Sequence, residues 1–252
     1  MDKTPLVSVP LEQLVPQDAA ARASMLAAAA EIRECYRVLV KGGLNVVGEV
    51  LRGEGAFYHQ QHYPSEDVYD NETHAQYYYH AHRGGEQEHG HFHTFMRARG
   101  IPAGIGSAEY PHPSRASWPQ GPDVISHLIA LSMDAYGYPM GLFATNRWVT
   151  GEAWYSAEQV ISLLDRFAID HAKPSWPVNR WLSAMLRLFR PQIEYLLRHR
   201  DQQIAAWQQS APDADVLEDR ALEITGYLPI NVDAWVSALT QHDSAQANGT
   251  PA

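Results

Sequence analysis

Cysteine is almost absent. Cys35 is the one thiol in 252 residues, so no disulfide can close within the chain, and a reducing, cytoplasmic setting is the simplest expectation. Basic charge is also scarce. Nineteen Lys and Arg against twenty-nine Asp and Glu leave a formal charge of −10, which argues against a nucleic-acid partner, because tracking phosphates needs a basic face. Long apolar runs are missing. The richest, around Met25–Ala30 and Val124–Leu131, fall far short of the roughly 20 residues that span a bilayer, and the first fifteen residues lack the apolar stretch of a signal peptide. No membrane partner is expected. The phosphate-binding loops, Gly-x-Ser-x-Gly and His-Glu-x-x-His are absent as well, which removes the commonest nucleotide-binding, hydrolase and metalloprotease signatures.

What is present is an ordinary globular composition, with 45% hydrophobic and 19% charged residues. Residues 18–41 place Met25, Ala29, Ile32, Tyr36 and Leu39 at spacings of three and four, which predicts an amphipathic helix stopped by Gly42-Gly43. Cys35 falls within it and reads as a buried, inert thiol. From about 44 to 150 apolar runs shorten, and Asn45–Leu51, Gln76–His82, His89–Met96, Val124–Ser132, Met140–Thr145 and Arg147–Thr150 read as strands. Ser156-Ala-Glu-Gln159 has the form of a capping box opening a helix. A longer helix follows over about 178–208, kinked or split by Pro191, and short helices are expected over about 214–224 and 232–241. The class is α+β, a mainly antiparallel sheet with a histidine-rich hairpin, flanked by N- and C-terminal helices. One domain over 1–242 and a frayed polar tail over 243–252 are expected.

Histidine is the residue in excess. Of thirteen, eight (His59, His62, His74, His80, His82, His89, His91 and His93) fall within thirty-five residues. Side chains alternate between the faces of a strand, so His74, Gln76, Tyr78, His80 and His82 share one face of the first segment. His89, His91, His93 and Phe95 share one face of the second. A two-residue turn with Gly85 at its first central position pairs His82 with His89, His80 with His91 and Tyr78 with His93. Opposed Cβ atoms are then roughly 4.5–5.5 Å apart, and five imidazoles crowd one face. A one-residue slip would split them between faces. Neutral imidazole is a preferred ligand for iron, copper and zinc, and facing His-x-His pairs supply two or three nitrogens to one ion.

Metal ligands are therefore sought among His80, His82, His89, His91, His93 and His74, with at least two of them from His80, His82 and His91. Glu72, Glu86 or Glu88 could complete or tune the shell, Glu88 could also act as a base, and Tyr78 could donate a hydrogen bond or a proton. Arg147 suits a substrate carboxylate, with an internal ion pair as the competing reading. His127 shares parity with Ile125, Ile129 and Leu131 and reads as a core histidine rather than a ligand. His59 and His62 fall in a loop with no periodicity to place them, and His112, His171, His199 and His242 have no constellation.

The two His-x-His motifs resemble those of the cupins, in which His-x-His, a following Glu and a later His hold a metal; Glu86 follows His82 at a workable distance. The short gap between the motifs and the surrounding helices depart from the cupin pattern, so that fold is not transferred. A second resemblance runs through Gly48-Glu-Val-Leu-Arg-Gly53, Tyr69-Asp-Asn-Glu-Thr-His-Ala-Gln-Tyr-Tyr-Tyr-His-Ala-His-Arg83, Glu88-His-Gly-His-Phe-His-Thr-Phe95 and Thr145-Asn-Arg-Trp-Val-Thr-Gly-Glu152. These segments resemble an uncharacterised bacterial family, a domain of unknown function, over about residues 20–240. That resemblance implies a bacterial source and no chemistry.

The expected function is a metal-dependent enzyme acting on a small molecule, with non-haem iron or copper redox chemistry ahead of a zinc hydrolase. A protein that binds or senses a metal without catalysis is the reading from a different class. An open coordination position favours an enzyme, and a closed tetrahedral shell favours the other.

Overall fold

In the computed structural model the described residues are 5–81 and 88–248. The chain begins with a single turn, α1 (Leu11–Leu14), and a long helix, α2 (Ala19–Lys41). The Asp18 carboxylate accepts from the Ala20 and Ala21 amides to open α2, and Gly43, at φ 71°, lets the chain leave it. After α3 (Val46–Val50) come β1 (Tyr63–Tyr69), β2 (Ala75–His80), β3 (Gly90–Arg97), β4 (Ile125–Met133) and β5 (Pro139–Thr145). A second helical run, α4 (Arg147–Thr150), α5 (Ala157–Leu163), α6 (Trp176–Leu188) and α7 (Arg190–Ser210), leads to β6 (Ile224–Pro229) and α8 (Val232–Asn248). Among the described residues that makes eight α-helices and one six-stranded antiparallel sheet in the order β1 to β6, an α+β fold. No described helix is long and apolar enough to cross a membrane.

The two sheet faces differ in kind. One carries Tyr77, Tyr79, Phe92, Leu131, Leu142 and Leu228, all in one buried cluster with Ile32 of α2, Val160 of α5, Trp181 of α6 and Leu196 of α7. α2 packs along α6, and α7 lies over β5 and β6. The Tyr77 hydroxyl donates to Asn179 Oδ1 at 2.7 Å, fixing the height of α6 above the sheet. The opposite face carries Tyr78 and His80 from β2, His91, His93 and Phe95 from β3, and Phe143 from β5. That second face is also largely buried, with His91, His93, Phe95 and Phe143 all shielded from solvent, but it is lined by imidazole and aromatic rings instead of aliphatic side chains.

Several segments depart from the sequence reading. Asn45–Leu51 is α3 with its flanks rather than a strand: the Asn45 side chain accepts from the Gly48 amide at 2.8 Å, and this cap outweighs the β preference of three valines. Arg147–Thr150 is helical, not extended, capped by the Asn146 side chain and closed by Gly151 at φ 65°. The helix expected over 214–224 reduces to a 3₁₀ turn at Val216–Glu218, and Ile224–Pro229 becomes β6 because the β5 edge is there to be paired. β1 was not anticipated; its polar Ser-Glu-Asp centre hides an edge strand. Pro191 does divide the long helix, with α6 ending at Leu188 and α7 starting at Arg190. α8 continues through Asp243 to Asn248, into the stretch expected to be a tail, and Asp243 reaches the buried Arg22 guanidinium at 2.5 Å. Cys35 is buried, and burial pushes its thiol up to about 11.

Trp181 is fully buried, with Phe92 of β3 and Tyr36 of α2 against its ring at 5.9 and 6.1 Å. Trp181→Ala should therefore cost roughly 3–5 kcal/mol of unfolding free energy. Urea denaturation checks this; a loss below about 1 kcal/mol would mean that the sheet–helix contact does not rest on this side chain.

Candidate metal centre

The β2–β3 ladder pairs His80 with His91 and Tyr78 with His93, as the parity argument requires. His91 and His93 stand two residues apart on one strand and His80 faces them across the ladder, so all three rings rise from one sheet face. Their centroids lie 4.6, 5.1 and 5.0 Å apart, with planes crossed at 84°, 71° and 79°. One ring nitrogen from each lies within 4.8 Å of the other two. Three imidazole nitrogens on one tetrahedral ion, at about 2.0–2.1 Å each, sit roughly 3.3 Å apart, which small side-chain rotations here would reach. His91 and His93 are buried, and His80 is half-exposed.

Both buried rings have Nδ1 engaged, and for His91 the partner decides which nitrogen is unprotonated. His91 Nδ1 lies 2.6 Å from Glu88 Oε1, and an ionised carboxylate only accepts, so Nδ1 carries the proton and Nε2 is the donor atom. Glu88 is held in turn by the Ser132 hydroxyl, which donates to Oε2 at 2.8 Å. His93 Nδ1 lies 3.0 Å from His127 Nε2. Burial drives the His127 imidazole down to about 3, so it is neutral at pH 7. Both contacts are satisfied with His93 Nε2 unprotonated when His93 Nδ1 donates to His127 Nε2 and His127 Nδ1 donates to Thr145 Oγ1 at 3.4 Å, the tautomer that ligation of an ion would select.

The other sequence candidates are distributed as follows. His82 and the Gly85 turn lie outside the described residues. His89 leaves the group: its ring turns to the core side, where Nδ1 lies 2.8 Å from the Tyr79 hydroxyl and Phe57 stacks on it at 5.0 Å. Gly90 makes this possible, since a Cβ there would stand 2.6 Å from the Tyr79 oxygen. His74 precedes β2 in a left-handed conformation, φ 62°, and its Nδ1 meets the Tyr69 hydroxyl instead of the cluster. Tyr78 stays on the histidine face, its ring 5.1 Å from His80 and 5.2 Å from His93; burial raises its phenol, which is therefore neutral. Arg147 takes the competing role, buried against Glu218, with Nε to carboxylate 2.7 Å, and against the Glu152 carbonyl.

His127 is the buried core histidine that the sequence suggests, outside the three-histidine group, but it and His62 reach this face by routes that strand alternation does not encode. His127 joins this face because β4 bulges: Thr94 pairs with Ile129 but Phe95 with His127, so the extra residue inverts the parity that grouped His127 with Ile129 and Leu131. His62 arrives from a loop and stacks on Tyr78 at 3.6 Å, a placement no periodicity encodes.

A family model described as a domain of unknown function (DUF6969) matches residues 26–230, and the chain belongs to that family. No curated protein and no solved structure gives a significant match.

Beneath the histidines lies Glu152, fully buried, accepting from the His127 amide at 2.6 Å and the Thr150 hydroxyl at 3.3 Å. Burial pushes its carboxyl up to about 7, against the opposing pull of Arg200, the His127 amide and Arg147. The unfolded chain thus releases this proton first, and stability falls as pH rises from about 4.5 to 7, by up to about 1.4 kcal/mol per pH unit. Glu152→Gln keeps the acceptor and removes the titration. Its melting temperature, measured against wild type from pH 5 to 8, should gain progressively up to about pH 7; a constant difference would show that Glu152 titrates normally.

Proposed function

We propose that the protein is a metal-dependent enzyme holding a divalent transition ion on His80, His91 and His93, and that it acts as an oxidoreductase on a small molecule with non-haem iron or copper. The observation that carries the reading is the convergence of three imidazole nitrogens, two of them with the opposite ring nitrogen engaged by Glu88 and His127. An all-nitrogen donor set suits iron, copper or zinc and disfavours magnesium or calcium. Such an ion would supply Lewis-acid or one-electron chemistry.

The chain's own groups have separable tasks in this reading. Glu88 and Ser132 orient His91, and His127 with Thr145 orients His93, so that each ring has its Nδ1 engaged and its Nε2 left for an ion. Three protein ligands would leave at least one coordination position for a substrate or water. Tyr78, neutral and beside His80 and His93, offers a hydroxyl to a ligand there. Phe143, edge-on to His91 at 5.1 Å, keeps the inner side apolar. A zinc hydrolase would use the same three ligands with a carboxylate base, but both Glu88 oxygens are turned to His91 and Ser132, which favours an orienting role for it.

Protein purified without added metal should carry about one equivalent of iron, copper or zinc by elemental analysis, and the His80→Ala, His91→Ala double variant should lose at least about nine-tenths of it. An unchanged metal content in the variant would remove these histidines from the shell.

Proton competition gives an independent check. Ligation needs neutral imidazole, and an unperturbed histidine titrates near 6.5, so affinity should fall steeply below about pH 6. An ion that binds only the folded state stabilises it by mass action. The gap in melting temperature between metal-loaded and metal-free protein should be clear at pH 7.5 and nearly closed at pH 5. A gap constant across that range would point to carboxylate ligands instead.

A further inference from the structure

His62 stands at the open edge of the histidine group with its orientation fixed. It lies parallel to Tyr78, centroids 3.6 Å apart and planes 9° apart, and edge-on to His80 at 5.7 Å. Its side chain remains 41% exposed, unlike His91 and His93. Asp67 Oδ1 accepts from His62 Nδ1 at 2.9 Å, which puts the ring's proton on Nδ1 and leaves Nε2 as a hydrogen-bond acceptor. The other carboxylate oxygen, Oδ2, accepts from Gln76 Nε2 at 2.7 Å, tying the pair to β2.

The backbone is bent to make this contact. Tyr63 pairs with Tyr79 and Val68 with Tyr77, so residues 64–67 bulge opposite Tyr78 alone. Asp67 within the bulge adopts φ 54°, in the left-handed region that L-residues visit rarely. A second anchor, the Gln60 amide to the Ala81 carbonyl at 2.8 Å, holds the loop that delivers His62. An exposed imidazole needs none of this to be soluble. Such local distortion recurs where a side chain must be aimed at a ligand.

We infer that His62, aimed by Asp67, receives a hydrogen bond from the ligand of the three-histidine centre. The site is thereby selective for small ligands that carry an N–H or O–H next to the atom bound to the ion. This rests on the metal reading above and adds the ligand class to it. The acceptor nitrogen belongs to a residue outside the ligand group, so ion binding and ligand choice are separable. Tyr78, flat beneath the His62 ring, sets its distance from the centre.

The test uses the full-length protein loaded with cobalt(II) at pH 8 and titrated with acetohydroxamate and with N-methylacetohydroxamate, read by the cobalt d–d absorption. The two chelators present the same oxygens and differ in one N–H. His62→Phe preserves a flat ring on Tyr78 and removes the acceptor; it should keep its cobalt and bind acetohydroxamate about five- to tenfold more weakly, while the N-methyl compound changes less than twofold. Asp67→Gly, which suits the left-handed backbone, should shift selectivity in the same direction with cobalt retained. Equal effects on both chelators, no effect on either, or no chelator binding by the cobalt-loaded wild type would overturn the inference. Loss of cobalt from His62→Phe would overturn it too, by making His62 a ligand. A wild-type protein that takes up no cobalt fails at the earlier step, and identifies the three-histidine reading as the part that is wrong.

Discussion

The register between β2 and β3 is the constraint on which the site depends. Pairing His80 with His91 and Tyr78 with His93 puts His80, His91 and His93 on one face and the core aromatics Tyr77, Tyr79 and Phe92 on the other. A slip of one residue would send His91 and His93 into the cluster around Trp181 and bring Phe92 out. The burial of Tyr77, Tyr79 and Phe92 beneath α6 therefore specifies the site as much as the core. Hydrophobic burial at about 25 cal/mol per Å² supplies the energy that holds the histidines in register.

That arrangement has a cost, and the neighbouring residues reduce it. Imidazoles packed edge to face at about 5 Å and removed from water are disfavoured once they charge. Glu88 on His91 and His127 on His93 give the Nδ1 of each ring a hydrogen-bond partner, and Ser132 and Thr145 extend the two chains by one more hydroxyl. The same contacts make the rings good ligands, since a fixed tautomer presents a lone pair in a fixed direction. His89 shows the alternative: with Tyr79 and Phe57 as partners, it becomes part of the packing on the core side.

Where local pattern and long-range structure agree, the sequence was sufficient. The α2 periodicity, the Ser156 capping box, the break near Pro191 and the alternation of β2 and β3 are all local signals, and each corresponds to an observed element. Asn45 and Asn146 caps were equally local but were masked by β-branched neighbours, Val46 and Val47 in one case and Val149 and Thr150 in the other. β6 needed its partner strand to be recognised, because its pairing spans the whole α4–α7 segment. The parity rule placed His91 and His93 and misplaced His127, because a bulge is one residue of backbone that alternation cannot register. His62 was out of reach for a similar reason: loop closure, not repeat, carries it onto Tyr78.

X-ray absorption at the metal edge, on protein purified without added metal, tests the central claim most directly. The account predicts an ion of iron, copper or zinc with a nitrogen and oxygen shell at about 2.0–2.1 Å and the outer-shell scattering of about three imidazole rings. An ion surrounded by oxygen without imidazole scattering, or protein that carries no ion at all, would contradict it.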